Sequence, residues 1–350
     1  MASVPIAEKD ALVDLYENTN GPYWQLSTNW NVGDPCDNAW VGITCNGENN
    51  HVTQISLDNN YLHGSIPSSF IALSHLFYLD FRYNELSGSL QFITGLTQLQ
   101  YLYLNNNLLT GSIPSLPDLT QLKELELHSN SLSGSVPSFT NQSQLEILRL
   151  NNNKLTGSIP TGLSGLSNLQ ILHLNYNYLS GSIPPELVLL SQLRALYLHG
   201  NKLTGVIPPQ LGNMSQLNWL MLQDNQLDGT IPPQLGNLSQ LVKLRLDNNQ
   251  LQGIIPYEMG NLSQLELLRL DRNELCGTIP ISLSRLEKLR DNYGLDISNN
   301  KLMTRIEPDL ESFIIAKSSL YGDWKKNQGK GCSDFPWNMF IPAITGMKNS

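Results

Sequence analysis

The chain has 350 residues, a formal net charge of −9 and only 15 % charged residues. This acidic balance argues against a protein that binds nucleic acid or an anionic membrane surface. No stretch approaches the roughly 18 consecutive apolar residues that a spanning helix needs, so the sequence predicts no transmembrane segment. The first residues also lack the charged and apolar regions of a secretory signal.

Residues 1–50 are predicted to form an amino-terminal capping region. Leu12, Leu15 and Tyr16 fall on one face of a predicted helix over residues 7–17, and Glu8 is expected on another face. Three tryptophans then offer apolar area to cover the first coil of whatever follows: Trp24, Trp30 and Trp40.

Residues 51–306 are organised by a repeated phrase, Leu-x-Leu-x-x-Asn. Its asparagine recurs every 23 or 24 residues until a last gap of 27, at Asn60, Asn84, Asn107, Asn130, Asn153, Asn177, Asn201, Asn225, Asn249, Asn273 and Asn300. A fixed period in the twenties is typical of a solenoid of stacked coils. The alternating leucines predict one short strand per coil, and stacking predicts a parallel sheet. Because the asparagine follows the strand, its amide is expected to satisfy backbone groups of the inward turn.

The second half of most repeats reads Leu-x-Gly-x-Ile-Pro, as in Leu203 to Pro208. The glycine suits a positive φ or a close approach between coils. The proline cannot donate a hydrogen bond and favours extended or short helical backbone.

This phrase, on a 24-residue period, resembles the plant-specific class of leucine-rich repeats, and the stretch from Trp24 to Cys45 resembles the cap that precedes them. That class is found in the ectodomains of plant receptor-like kinases and receptor-like proteins, and in polygalacturonase inhibitors. The resemblance implies an α/β right-handed leucine-rich repeat solenoid of about eleven repeats. It also implies a disulfide between Cys36 and Cys45.

Residues 307–350 are predicted to be a carboxy-terminal cap and an extended tail. Leu310, Phe313 and Ile314 predict a closing helix over residues 307–317. The family keeps a cysteine pair in this cap, whereas this tail contains only Cys332. A disulfide between Cys332 and Cys276 is therefore one open pairing.

Four sequons predict N-glycosylation if the chain enters a secretory pathway, at Asn141, Asn213, Asn237 and Asn261. Three of them lie in a repeated phrase, so duplication of the repeat alone could have generated them. The sequons and the disulfide-type cap favour an extracellular or cell-surface location. The missing signal peptide leaves a cytoplasmic location open.

The outward strand positions are the predicted binding surface. They differ from repeat to repeat, whereas the adjacent leucines do not, because packing constrains only the leucines. Aromatic side chains and arginines, which commonly anchor protein interfaces, are frequent among them. The predicted partner-binding residues of this concave face are Tyr78, Asp80, Tyr101, Tyr103, Glu126, Arg149, His173, Tyr197, Trp219, Met221, Arg245 and Arg269.

Catalytic, metal and cofactor sites are not predicted. His128, His173 and His199 occupy separate repeats, and no nucleophile elbow, phosphate loop or dinucleotide motif occurs. We therefore expect a non-enzymatic recognition module for a protein, peptide or glycan. One alternative, from the shared repeats, is a secreted inhibitor of cell-wall-degrading glycosidases. A second is a surface- or ice-binding protein, because a serine row lies in register at Ser65, Ser112, Ser135, Ser158 and Ser182.

Overall fold

The computed structural model describes residues 3–318 together with Lys325 and Gln328. Within them, twelve short strands form one sheet, here called the main sheet: Ile43–Cys45, Val52–Ser56, Tyr78–Asp80, Tyr101–Tyr103, Glu124–Glu126, Ile147–Arg149, Ile171–His173, Ala195–Tyr197, Trp219–Met221, Lys243–Arg245, Leu267–Arg269 and Leu295–Asp296. The first pair is antiparallel, and each later strand is parallel to its neighbour. The predicted leucine-rich solenoid is confirmed.

Alternation along each strand places its leucines in the core. Leu196 and Leu198 are fully buried, whereas Tyr197 between them is partly exposed. Each such leucine contributes about 2 kcal/mol through burial of apolar area. A single coil cannot exclude water from these side chains, so the coils are stable only when stacked.

The asparagines form the expected ladder between coils. Asn177 Nδ2 donates to Leu174 O of its own coil at 3.1 Å and to Leu150 O of the preceding coil at 3.0 Å. Its Oδ1 accepts from Leu155 N of the preceding coil at 3.0 Å. The other internal asparagines repeat this pattern, which satisfies backbone groups that the buried turn would otherwise leave unpaired.

A second series of short strands follows the asparagines. Its members form groups of two, five and three strands: His63–Ser65 and Glu85–Ser87; Ser133–Ser135, Lys154–Gly157, Tyr178–Gly181, Lys202–Val206 and Gln226–Asp228; Gln252–Gly253, Glu274–Gly277 and Lys301–Leu302. The glycine of the repeated phrase has a positive φ here, for example +74° at Gly205, as the sequence predicts.

Short 3₁₀ helices complete the coils, most of them directly after the phrase proline. They span Ser68–Ala72, Gln91–Gly95, Thr161–Gly165, Pro185–Leu189, Pro209–Asn213, Pro233–Asn237, Tyr257–Asn261 and Ile281–Arg285, and one more, Gly21–Tyr23, lies in the amino-terminal region. Proline suits the first helical position because its fixed φ is already helical and its missing N–H has no partner there anyway.

The amino-terminal cap contains helix α1, Ile6–Asn18, as predicted. Trp24, Trp30 and Trp40 are buried in contact with one another, and their indole N–H groups donate to backbone carbonyls. The disulfide between Cys36 and Cys45 is confirmed. The placement of Glu8 away from the apolar face is wrong: its side chain is buried, because it accepts hydrogen bonds from the first repeat.

The carboxy-terminal cap contains helix α2, Pro308–Lys317, which confirms the predicted closing helix. Beyond it, Gln328 continues the asparagine ladder. Its Oε1 accepts from Leu302 N at 3.0 Å, and its Nε2 donates to Ile297 O at 3.0 Å. These are the bonds that Asn300 makes to Leu275 and Leu270 one coil earlier.

Cys276 is buried and is not a free thiol. Cys332 lies outside the described residues, so its pairing with Cys276 stays a prediction. Among the helices of the described residues, none has the length and apolar character that crossing a bilayer requires.

Candidate functional site

The outward face of the main sheet carries the predicted binding residues in one line. Strand register places Asp80 beside Tyr103, Tyr103 beside Glu126, and so on through Arg149, His173, Tyr197, Met221, Arg245 and Arg269. A second line holds Tyr78, Tyr101 and, further along, Trp219. Neighbouring strands are about 4.8 Å apart, so side chains in a line contact one another.

The first part of this face is an aromatic cluster of Tyr78, Tyr101 and Tyr103. The ring of Tyr78 lies 6.0 Å from that of Tyr101 and 5.6 Å from that of Tyr103. The Tyr103 hydroxyl donates to Glu124 Oε2 at 2.6 Å, and the Arg82 guanidinium lies over the Tyr103 ring. Burial, together with the bond to Glu124, raises the pKa of Tyr103. The cluster therefore presents neutral rings held by an acidic rim.

Asp80 and Glu126 lie in the predicted line but are almost completely buried. Asp80 pairs with Arg82 at 2.8 Å, and Glu126 pairs with Arg149 at 2.6 Å. Burial raises the pKa of Asp80. Burial alone would also raise the pKa of Glu126, but the hydrogen bond with His128 and the charge of Arg149 outweigh it and lower that pKa. These carboxylates orient the arginines more than they offer contact area themselves.

A second aromatic cluster lies at the middle of the face. His173 stacks on Tyr197 with ring centroids 4.2 Å apart, and Tyr197 lies 6.3 Å from Trp219. His199 lies 5.8 Å from Tyr197 and packs edge-on to Tyr176. Burial, and then the charge of Arg149, lowers the pKa of His173 to about 4, and burial with the charge of Arg245 lowers that of His199 to about 4. Both imidazoles are therefore neutral at pH 7, and this part of the face is uncharged.

The last part of the face is charged but internally paired. Arg245 Nη2 contacts Asp247 at 2.6 Å, and Arg269 contacts both Asp271 at 3.0 Å and Asp296 at 2.9 Å. Partners two residues apart in one strand point the same way, which brings each pair together. The arginines thus have less free charge than their number in the sequence indicates.

A row of buried hydrogen-bond acceptors flanks the central line. Asn105 Oδ1, Asn151 Oδ1, Asn175 Oδ1 and Gln223 Oε1 have no protein partner in the part of the chain that the structure describes, and neither does His199 Nδ1. Each lies two residues after the middle residue of its strand. Unpaired buried polar atoms are uncommon in proteins, so a row of them calls for a functional reason. The sequence contains the residues, but only the structure shows that their oxygens are unpaired.

Exposed hydroxyl groups form a second continuous surface on the other strand series. This hydroxyl field contains Ser65, Ser87, Ser89, Thr110, Ser112, Ser133, Ser135, Thr156, Ser158, Ser180, Ser182 and Thr204. The register offsets coils here by two residues, so that Ser65 pairs with Ser87, Ser112 with Ser133 and Ser135 with Thr156. The field ends at Val206 and Asp228.

The predicted glycan acceptors Asn141, Asn213, Asn237 and Asn261 are all exposed. Three of them end a 3₁₀ helix on the side of the coils away from the main sheet. Metal-ligand types come together elsewhere: among the described residues, Glu8, His51 and His75 form a group in which the ligand atoms all lie within 4.8 Å of one another. No pattern in the sequence indicated this group, because its members belong to a cap helix and two different coils.

Comparison with known proteins gives the following. The chain is 49 % identical over 63 residues to a probable leucine-rich repeat receptor-like protein kinase of Arabidopsis thaliana, a stretch covering 18 % of this chain and 7 % of that protein. The structure resembles the leucine-rich repeat ectodomain of the Arabidopsis thaliana receptor kinase GASSHO1/SCHENGEN3 in complex with CASPARIAN STRIP INTEGRITY FACTOR 2, with 34 % identity, a TM-score of 0.71, and coverage of 88 % of this chain and 43 % of that one.

Two further structures bear on function. The Arabidopsis receptor kinase HAESA, in complex with the peptide hormone IDA and the co-receptor SERK1, has 32 % identity, a TM-score of 0.67, and coverage of 85 % and 54 %. A plant ice-binding protein has 25 % identity, a TM-score of 0.63, and coverage of 95 % of this chain and 99 % of that one. The chain therefore spans about half of these receptor ectodomains and a small part of the matched kinase.

The family model described as leucine rich repeat matches residues 50–109 and, in overlapping windows, residues 120–275. A second model, for two copies of the repeat, matches residues 97–141. The matches cover more than half of the chain, and with the stacked coils described above they show that this protein belongs to the leucine-rich repeat family.

Proposed function

We propose that the protein is a non-enzymatic recognition module that binds an extended peptide segment along the outward face of the main sheet. One observation carries the proposal: two neutral aromatic clusters lie in line, beside a row of buried acceptors without protein partners. A peptide supplies what this surface lacks, because its backbone N–H groups are donors and its side chains can pack on the rings.

The order of chemistry along the face supports a ligand with two apolar anchors. The Tyr78–Tyr101–Tyr103 cluster and the His173–Tyr197–Trp219 cluster are separated by the Glu126–Arg149 pair. The lines of the clusters are three strands apart, so the anchors would be roughly 15 Å from each other, within reach of a short extended peptide. Relatives named as receptors, one of them bound to a peptide hormone, support the same class of ligand and an extracellular location.

Selection from a displayed library of random linear peptides on the immobilised protein tests this proposal. Enriched peptides are expected to bind the native protein and to lose at least about a hundredfold in affinity for a variant with Tyr103, Tyr197 and Trp219 all changed to alanine, because buried aromatic anchors dominate peptide affinity. The melting temperature of the variant is expected to change little, since these side chains are partly exposed.

The matched control changes three exposed tyrosines off this face, Tyr23, Tyr178 and Tyr257, to alanine. Binding of the enriched peptides by the control should equal binding by the native protein. Equal affinity for both triple variants, or enrichment of no peptide at all, would refute the proposal.

A second candidate function, adsorption to an ordered surface such as ice, is favoured by the hydroxyl field. Twelve serine and threonine hydroxyls lie on consecutive coils, and the plant ice-binding protein matches the chain over nearly its whole length. Regular spacing set by the strands suits a periodic ligand better than a flexible one.

Ice-recrystallisation microscopy separates the two candidates. If the field binds ice, the variant Ser135→Lys/Thr156→Lys should lose inhibition of recrystallisation, because two long charged side chains interrupt a paired row. The variant of the three outward-face aromatics should keep it. Absence of inhibition by the native protein removes this candidate.

A further inference from the structure

Glu8, His51 and His75 meet where the amino-terminal cap joins the repeats. Glu8 is in the first turn of α1, His51 immediately precedes the strand Val52–Ser56, and His75 precedes the strand Tyr78–Asp80. The three residues therefore come from the cap, the first coil and the second coil. Glu8 is buried, His51 is partly buried, and His75 is half exposed.

The Glu8 carboxylate is held in one orientation. Its Oε2 accepts from Val52 N at 2.9 Å, and its Oε1 contacts His51 Nδ1 at 2.6 Å. The His75 ring stacks on the His51 ring with centroids 3.7 Å apart, and its Nδ1 faces the same Oε1 at 3.9 Å. Two imidazole nitrogens thus converge on one carboxylate oxygen whose partner oxygen is fixed by the backbone.

Hydrogen bonding alone explains only half of this arrangement. The short contact of His51 with Glu8 is a hydrogen bond, but 3.9 Å is too long for one, so His75 gains none from Glu8. Ligands of a tetrahedral ion with bonds of about 2.0–2.1 Å lie roughly 3.3 Å apart. The two distances from Oε1 lie on either side of that value, so shifts below about 1 Å would bring three donors around one ion.

We propose that Glu8, His51 and His75 form a binding site for a divalent transition-metal ion of the zinc class. Two imidazoles and one carboxylate are donors that zinc accepts, whereas magnesium and calcium require mainly oxygen ligands. The Val52 N–H orients the carboxylate in the way that outer contacts orient metal ligands. The half-exposed His75 leaves an entry path and a fourth position for water.

Such an ion would join the cap to the first two coils by three bonds. Because the ligands come together only in the folded chain, zinc binding would stabilise the fold in proportion to its concentration above the dissociation constant. The site is separate from the outward face, so peptide binding and metal binding can be tested independently.

Titration calorimetry of the full chain with zinc chloride, after dialysis against a chelator, tests the proposal. We expect one zinc ion per chain and a rise in melting temperature on addition of zinc. His75→Gln should weaken zinc binding at least about tenfold, because it removes one ligand. It leaves the Glu8–His51 bond in place, and since His75 is half exposed the variant is expected to fold, which circular dichroism without metal checks.

His63→Gln is the matched control. His63 pairs with Glu85 at 3.1 Å on the surface, but no third ligand is grouped with them among the described residues. This variant should bind zinc as the native chain does, and cobalt should give the visible absorption of a tetrahedral site in both. Equal zinc affinity in His75→Gln and the native protein would overturn the proposal, and so would a native protein that binds no zinc.

Discussion

One asparagine per coil connects two coils, and Asn177 shows what each contributes. Replacing it by alanine leaves the buried Leu155 N–H and two carbonyl groups without their partner. Because unpaired buried groups cost about 1–3 kcal/mol each, we expect Asn177→Ala to lower the free energy of unfolding by about 2–4 kcal/mol. Urea denaturation measures the loss.

The exposed Asn168 is the control for this prediction. Its side chain donates a single hydrogen bond, to Ser143 O at 2.9 Å, on the surface. Asn168→Ala should change the free energy of unfolding by less than about 1 kcal/mol, since water can replace the lost bond. Similar losses in the two variants would contradict the ladder as the main polar connection between coils.

Gly200 illustrates a constraint that one coil places on the next. Its φ is +64°, and a Cβ there would meet the Tyr176 ring at 2.6 Å. Other coils carry asparagine at this position, such as Asn152 and Asn248, also with positive φ. The glycine is therefore required by the tyrosine more than by the backbone.

A double-mutant cycle tests that explanation. Gly200→Asn should destabilise the native protein by displacing Tyr176 from its contact with His199. The same change should cost about 1 kcal/mol less in a Tyr176→Asn background, where the ring is absent. Additive effects in thermal or urea unfolding would show that the two positions are independent.

At the scale of elements, Gln328 occupies the place of the next asparagine after the last coil. Gln328→Ala would remove the partners of Leu302 N and Ile297 O. We expect faster amide hydrogen exchange at Leu302, corresponding to a local loss of about 1–2 kcal/mol, and unchanged exchange at Leu155 in the middle of the ladder. Uniform acceleration along the chain, or none at Leu302, would argue against this role.

Most elements could be predicted from the sequence because each repeats a local rule. Alternating leucines, the asparagine and the phrase proline specify the strand, the turn and the 3₁₀ helix of every coil. Helices α1 and α2 followed from one apolar face each. Gln328 could not be anticipated, because it satisfies the rule with a different residue from a segment without the period.

The missed parts of the candidate sites share one physical cause. Glu8 approaches His51 and His75 across 43 residues or more, at the one junction where the repeat has no preceding copy. The unpaired oxygens of Asn105 and Gln223 depend on side-chain orientation, which composition does not reveal. The alignment of Tyr103 with Tyr197 along the face was predictable, since strand register alone determines it.

For the whole molecule, the two buried histidines predict loss of stability in mild acid. His173 and His199 have pKa values lowered to about 4, whereas the unfolded chain takes up protons near pH 6.5. Between those values the unfolded state binds more protons, so the free energy of unfolding falls as pH falls. From pH 6.5 to 5 we expect a loss of roughly 1.5 kcal/mol per histidine.

Urea denaturation at several pH values checks this, with His173→Phe/His199→Phe as the comparison. The variant keeps aromatic rings but cannot take up these protons, so its stability should depend less on pH between 6.5 and 5. Parallel pH profiles for the variant and the native protein would show that other groups control the response to acid.

The asparagine ladder also makes the molecule divisible into equal lengths. Each rung bonds only its own coil and the preceding one, so excising one unit from rung to rung, such as residues 178–201, joins two ends that already have the same hydrogen-bonding pattern. Such a deletion shortens the outward face by one strand, about 4.8 Å, without changing the chemistry at either end. The fold therefore behaves as a ruler, and its reach along a ligand can change by whole graduations while every remaining contact is kept.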